Sequence, residues 1–207
     1  MKTLPEPWLT VYNERRDAIR ARLEDFRNVP KSEYFYELIF CILTPQSHQK
    51  NAEQVIQKLK IDNFFDEGFD PTSYLRDSQH YIRFHNVKAK RLLAIREIYP
   101  TIEKELSYNT DSSSLRDTIV TLVPGFGMKE SAHFLRNIGH HDNAILDRHI
   151  FKHLLRLEVI EDIPKSLSTK LYYEIEKKWK EYAKEIGIPM DELDLLFWSM
   201  ETGEIKK

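Results

Sequence analysis

The sequence predicts an all-α protein. Apolar residues recur at helical steps along most of its 207 residues, no stretch alternates as a strand would, and the six glycines and nine prolines fall mostly between the periodic runs. The first run sets the pattern. Trp8, Val11, Tyr12, Ile19, Leu23 and Phe26 stand at three-, four- and seven-residue steps, giving one apolar stripe on a charged helix. Further runs follow at about 32–43, 48–59, 86–98, 113–122, 128–138, 147–157, 167–186 and 191–199, for roughly nine or ten helices in all. DNFFDEGFDPTSYL (62–75) reads as a connector, rich in Asp, Gly and Pro but with aromatics that pack. A second break lies near 109–112, in SYNTDSSS. Neither has the composition of a flexible linker. The expectation is a single domain over 1–207 folded as two lobes.

With 41% hydrophobic and 31% charged residues, the chain is an ordinary globular one and not a disordered one. A net charge of −2 lacks the broad basic footprint of nucleic-acid binders, so any such site must be local. Cys41, the single cysteine, lies inside the apolar run YELIFCIL and reads as core. One cysteine excludes an intramolecular disulfide and a four-cysteine iron–sulfur cluster. No apolar run reaches membrane-spanning length, and MKTLPEPWLT lacks a signal peptide's apolar core. The expected setting is intracellular and cytoplasmic, with no membrane partner.

The chemistry concentrates in TLVPGFGMKESAHFL, 121–135. Gly125 and Gly127 let the chain turn sharply before a helix, and amides converging at a helix N-terminus bind anions such as a DNA phosphate. The same residues also suit a plain turn between two helices, and the turn alone does not decide between the two. Lys129 is the odd residue. It puts an ammonium in the first helical turn, where the macrodipole disfavours positive charge. That is a poor place for a structural lysine and a good one for a nucleophile, which must lose its proton before it attacks. The dipole supplies the smaller share of that cost, and desolvation by a bound substrate the larger. Asp147 stands just before RHIFKHLLRL, where its side chain can cap the helix.

Four further groups stand out. Gln46 and Ser47 lie in LTPQSHQK, between two helices. RFHNVKAKRL places Arg83, Lys88, Lys90 and Arg91 around Phe84, which either wedges into a base stack or packs inside. The eight histidines show no metal-ligand spacing; His149 and His153 lack a nearby third ligand, so no metal is expected. Near the end, WSMETGEIKK carries Trp198 and Lys207.

LVPGFGMKESAHFL followed by AILDRH resembles the helix–hairpin–helix motif of the DNA glycosylase superfamily, here over about 113–139. The match includes that family's lysine and its aspartate eighteen residues on, Lys129 and Asp147. YELIFCILTPQS and RFHNVKAKRL are similar to its barrel-helix end and minor-groove loop. Among the branches, the sequence is most similar to the archaeal 8-oxoguanine DNA glycosylase/lyase of the second type; the cluster cysteines of the endonuclease III branch are absent. The resemblance implies a two-lobed fold with the active site in the cleft between lobes. It implies excision of 8-oxoguanine from duplex DNA through a Lys129 Schiff base, then β-lyase cleavage, by a monomer without a cofactor. Asp147 would steady the cationic sugar. Gln46 would fill the gap left by the flipped base, with Phe84 a candidate wedge in the opposite strand. Arg83, Lys88, Gly125 and Gly127 would face phosphate, while Trp198 and Lys207 would recognise the base. Two alternatives stay open: a non-catalytic hairpin module that grips DNA, and a glycosylase for another damaged or mismatched base.

Overall fold

The apolar stripe of the first run becomes α1 (Trp8–Arg27), with Trp8, Tyr12, Ile19, Leu23 and Phe26 buried and Val11 at the margin of the stripe. In this computed structural model residues 3–108 and 111–206 are described. Among them lie eleven α-helices and one 3-10 turn, and no strand. The chain divides into two units, one of Met1–Asn28 with Leu135–Lys207 and one of Val29–Phe134.

In the second unit, α2 (Tyr34–Leu43) follows the 3-10 turn Lys31–Glu33 and is buried along most of its length. It packs on α3 (Gln49–Ile61) and α6 (His85–Tyr108), and α6 packs on α7 (Ser112–Leu122). The connector is more ordered than its composition indicates. Two short helices, α4 (Phe64–Glu67) and α5 (Thr72–Arg76), form within it. Its aromatics explain why: Phe64 is fully buried and meets Phe35 and Phe69 with ring centroids 6.2 and 5.2 Å apart. Burying rings of this size outweighs the local turn preference of Asp and Gly.

The run expected to end near residue 98 instead continues through Pro100 to Tyr108. Proline removes one helical hydrogen bond, but Tyr99 and Ile102 on either side of it are buried and hold the helix in place.

In the first unit, α1 packs on α11 (Met190–Thr202), which also meets α9 (Arg148–Arg156) and α10 (Thr169–Ile186). Trp179, Phe197, Leu193 and Leu196 are fully buried there, and the His153 and Phe197 rings stack 4.6 Å apart. Helix α8 (Met128–Asn137) contains the point at which the chain passes from the second unit into the first.

Candidate active site

Between α7 and α8 the chain reverses in five residues. The Phe126 amide donates to the Val123 carbonyl at 3.1 Å, closing a turn around Pro124 and Gly125. Gly125 has φ +88°, and a Cβ there would stand 2.4 Å from Cζ of Arg91. Glycine is favoured here by its backbone conformation, and any larger residue would also have to displace the guanidinium laid against it. Gly127 does different work. Its carbonyl accepts from the Ser131 amide at 3.1 Å, and its own N–H donates to Oε2 of Glu130 at 3.2 Å. Gly127 thus sits at the start of α8 with Glu130 reaching back to it, as the glutamate of a capping box does. Lys129 is partly exposed, and its Nζ lies 3.1 Å from Oε1 of the same Glu130.

In the first unit, Asp147 caps α9. One oxygen, Oδ1, accepts from the His149 and Ile150 amides at 2.8 and 2.9 Å. Both bonds to one oxygen leave Oδ2 outside the cap. Below it lies a charged pair that the sequence did not advertise. Arg136 donates to Oδ2 of Asp194 at 2.6 Å, and both side chains are almost fully buried. Burial pushes the Asp194 carboxyl up to about 7; Asp147 and Asp191 add to the rise and Arg136 opposes it.

Five of the residues selected from sequence, Gln46, Ser47, Arg83, Phe84 and Lys88, come together in the second unit. Gln46 (φ +58°) and Phe84 (φ +60°) both have left-handed backbones, and both side chains are exposed. Each such conformation costs a non-glycine residue of order 1–3 kcal/mol and persists only where its surroundings enforce it. The Arg83 guanidinium lies 5.2 Å from the centre of the Phe84 ring, and the Arg83 amide donates to Oγ of Ser47 at 3.0 Å. Phe84 therefore points to solvent and does not pack inside. Lys88 departs from its expected phosphate-facing role. It is 4% exposed, and its ammonium donates to the carbonyls of Leu43 and Pro45 at 2.8 and 2.7 Å. Its pKa falls to about 8 through burial, with nearby Arg91 adding to the effect.

Trp198 is half-buried on α11, with its ring 5.1 Å from that of His149 and nearly perpendicular to it. Glu201, one turn further on, lies 3.3 Å from Nδ1 of His149 and accepts from Lys152 at 2.8 Å. His153 takes the Trp8 indole N–H at 2.7 Å. Among the described residues no group of three or more His, Cys, Asp or Glu is placed to hold a metal ion. Helix α11 stops at Thr202, and Gly203 turns the chain with φ +80°. Lys207 lies outside the described residues.

Arg91 is legible in the basic run but not its place behind Gly125, and the sequence does not single out Glu130 beside Lys129 or the Arg136–Asp194 pair. Of these placements only that of Glu130 left a local trace, since it stands three residues after Gly127 in capping-box register.

Residues 19–188 match the family model of 8-oxoguanine DNA glycosylases with a helix–hairpin–helix (Ogg-HhH). The chain is 41% identical to an 8-oxoguanine DNA glycosylase/AP lyase of Fusobacterium nucleatum, over 95% of this chain and 94% of that one. A relative of the same description from Methanocaldococcus jannaschii is 31% identical, with 94% of each chain covered. Among solved structures, the fold is similar to the Methanocaldococcus jannaschii 8-oxoguanine glycosylase/lyase in complex with a 15mer DNA containing 8-oxoguanine. That likeness has TM-score 0.83 and 30% identity, covering 96% of this chain and 97% of that one. The 8-oxoguanine DNA glycosylase of Thermotoga maritima gives TM-score 0.82 at 25% identity, covering 97% and 96%.

Proposed function

Because the chain belongs to the 8-oxoguanine DNA glycosylase family, we propose that it excises 8-oxoguanine from duplex DNA and then nicks the strand as a lyase. Lys129 carries the reaction. As the neutral amine, its Nζ attacks C1′ of the damaged nucleotide and the N-glycosidic bond breaks, releasing the base. The amine–sugar adduct opens to a Schiff base. Loss of a C2′ proton then breaks the C3′–O bond by β-elimination, and water returns the amine. Asp147 supplies a fixed negative charge to the sugar cation that develops as the base departs, and it accepts the proton that Lys129 must shed. The chemistry needs no metal and no organic cofactor.

The observation that supports this reading best is the placement of Lys129 in the first turn of α8, directly behind the Gly125 turn. A module that only grips DNA has no use for a nucleophilic amine there. The hairpin amides meet backbone phosphate, with Gly127 exchanging its Glu130 partner for a phosphate oxygen. Gln46 and Phe84 enter the duplex where the damaged nucleotide leaves the stack, and Arg83 meets phosphate beside them. Trp198 and Lys207 receive the flipped base. Lys88, turned inward, supports this surface from behind. As the family resemblance implies, the active form is a monomer working inside the cell on genomic DNA.

Borohydride trapping with duplexes carrying different lesions tests the proposal. The expected result is a covalent adduct on 8-oxoguanine duplexes and none on undamaged DNA. Faster trapping on an oxidised pyrimidine or a mismatched thymine would move the substrate to another base. No adduct on any lesion, with binding retained, would leave only a DNA-gripping module.

A further inference from the structure

We propose that Lys88 is a positioning residue that holds Gln46 and Phe84 in the left-handed conformations by which they enter the duplex; this rests on the reading of that pair given above. Its side chain and its main chain reach the two residues from one point. The ammonium donates to the carbonyls of Leu43 and Pro45 and lies 3.4 Å from Oγ of Ser47. The Pro45 carbonyl belongs to the peptide that ends at the Gln46 nitrogen, so holding it fixes the plane from which φ of Gln46 is measured. Leu43 is the last residue of α2, where carbonyls lack helical partners and a cation is favoured. On the other side, the Lys88 amide donates to the Phe84 carbonyl at 3.0 Å, which anchors that residue to the start of α6. Ser47 closes the frame by accepting the Arg83 amide, one residue before Phe84, and Asn51 donates to the Tyr81 carbonyl at 3.1 Å.

Gln46 and Phe84 each lie in a backbone region that few non-glycine residues occupy. Both side chains are exposed, so burial does not account for such a conformation, whereas the frame around Lys88 does. A phosphate-contacting lysine would present its ammonium to solvent, whereas this one is buried among carbonyls. Methionine at the same position would keep the length and apolar stem of the side chain and remove all its donors. The loop then has no group to hold the Pro45 peptide, and Gln46 is free to relax out of the left-handed region.

The test compares single-turnover excision of 8-oxoguanine, which requires a base to leave the stack, with incision of a duplex carrying a pre-formed abasic site. For Lys88→Met the ratio of the two rates should fall about tenfold or more. In a Gln46→Ala/Phe84→Ala background the same substitution should add no further loss, because a positioning residue acts only through what it positions. Parallel falls in both rates would mark Lys88 as merely structural, and an unchanged ratio would overturn the proposal. Weaker affinity for every duplex, with the ratio intact, would return Lys88 to phosphate binding. Should Gln46→Ala/Phe84→Ala alone leave the ratio unchanged, the wedge reading itself fails, a result separable from failure of Lys88. If circular dichroism shows that Lys88→Met does not fold, Ser47→Ala takes its place. It removes the oxygen that the Arg83 amide and Lys88 share, and the ratio should fall about threefold; no fall overturns the inference.

Discussion

Lys129 Nζ lies 3.1 Å from Oε1 of Glu130, while the other oxygen of Glu130 accepts the Gly127 amide. One carboxylate thus balances an ammonium placed against the helix dipole and also satisfies an amide at the helix start. The arrangement makes a clean test of the nucleophile possible. In Lys129→Gln the Glu130–Gly127 bond survives and the hairpin keeps its turn, but no amine is left to attack. Borohydride adducts should disappear and excision should fall by three orders of magnitude or more (~10³), with affinity for lesion duplexes changed by less than about threefold. An adduct still forming at the normal rate would remove Lys129 from the mechanism.

Asp147 holds two amides through one oxygen, so its capping and its charge can be separated. Asparagine caps helices about as well as aspartate, and its side-chain oxygen can take the same two amides. Asp147→Asn should therefore shift the denaturation midpoint little and leave DNA affinity near normal. Excision should slow by about 10²–10³, the usual consequence of losing an electrostatic group aimed at developing charge. Near-normal single-turnover rates would reduce Asp147 to a helix cap.

What the sequence revealed and what it hid divide along a physical line. Helix positions, the Gly125 turn, the Asp147 cap and the Lys129–Asp147 spacing are local patterns, and each could be read within about a dozen residues or from one motif. Direction and distant partnership could not. The basic run around Phe84 shows that cations are present but not that Lys88 turns inward while Arg83 and Lys90 face solvent. The acidic start of α11 is the sharper case. Asp191, Glu192 and Asp194 look like the solvated face of a helix start, yet all three are buried. Their partners come from elsewhere in the chain: the Asp142 amide for Asp191, Tyr12 and Arg20 for Glu192, and Arg136 for Asp194. Pro100 misled for a related reason, since only the burial of Tyr99 and Ile102 shows that α6 runs on.

Glu201 yields a prediction in pH. Its hydrogen bond from Lys152, helped by His149, draws its carboxyl down to about 2. A carboxyl lowered in the folded state adds stability above its unfolded value of about 4.3, and that stability is lost as pH falls toward 2. The pair is partly open to water, so the expected size is about 1 kcal/mol. Glu201→Gln should unfold at lower urea than the parent at pH 6, and the two curves should converge between pH 4 and about 2. A gap independent of pH would show that Glu201 contributes by packing and not by charge.

The last prediction concerns the tail beyond α11. Trp198 is anchored from two sides: its ring meets His149, and the Thr202 hydroxyl donates to its carbonyl at 2.9 Å. The same hydroxyl lies 3.4 Å from the Glu204 amide, so the chain after Gly203 starts from a fixed point near the indole. The resemblance to the archaeal branch assigns reading of a purine stacked on Trp198 to the last residues. 8-Oxoguanine differs from guanine by an N7–H donor and a C8 carbonyl, and we propose that a main-chain oxygen of Lys207 accepts from that donor. An acceptor held for one donor discriminates strongly, because guanine, with a lone pair at N7, leaves it unpaired. Removing Lys207 should therefore lower 8-oxoguanine excision by about tenfold or more, while incision at a pre-formed abasic site, where no base is read, changes far less. The measurement is the ratio of the two single-turnover rates for the full chain and for a chain ending at Lys206. A ratio that survives the truncation would assign base recognition to Trp198 without the terminal residue.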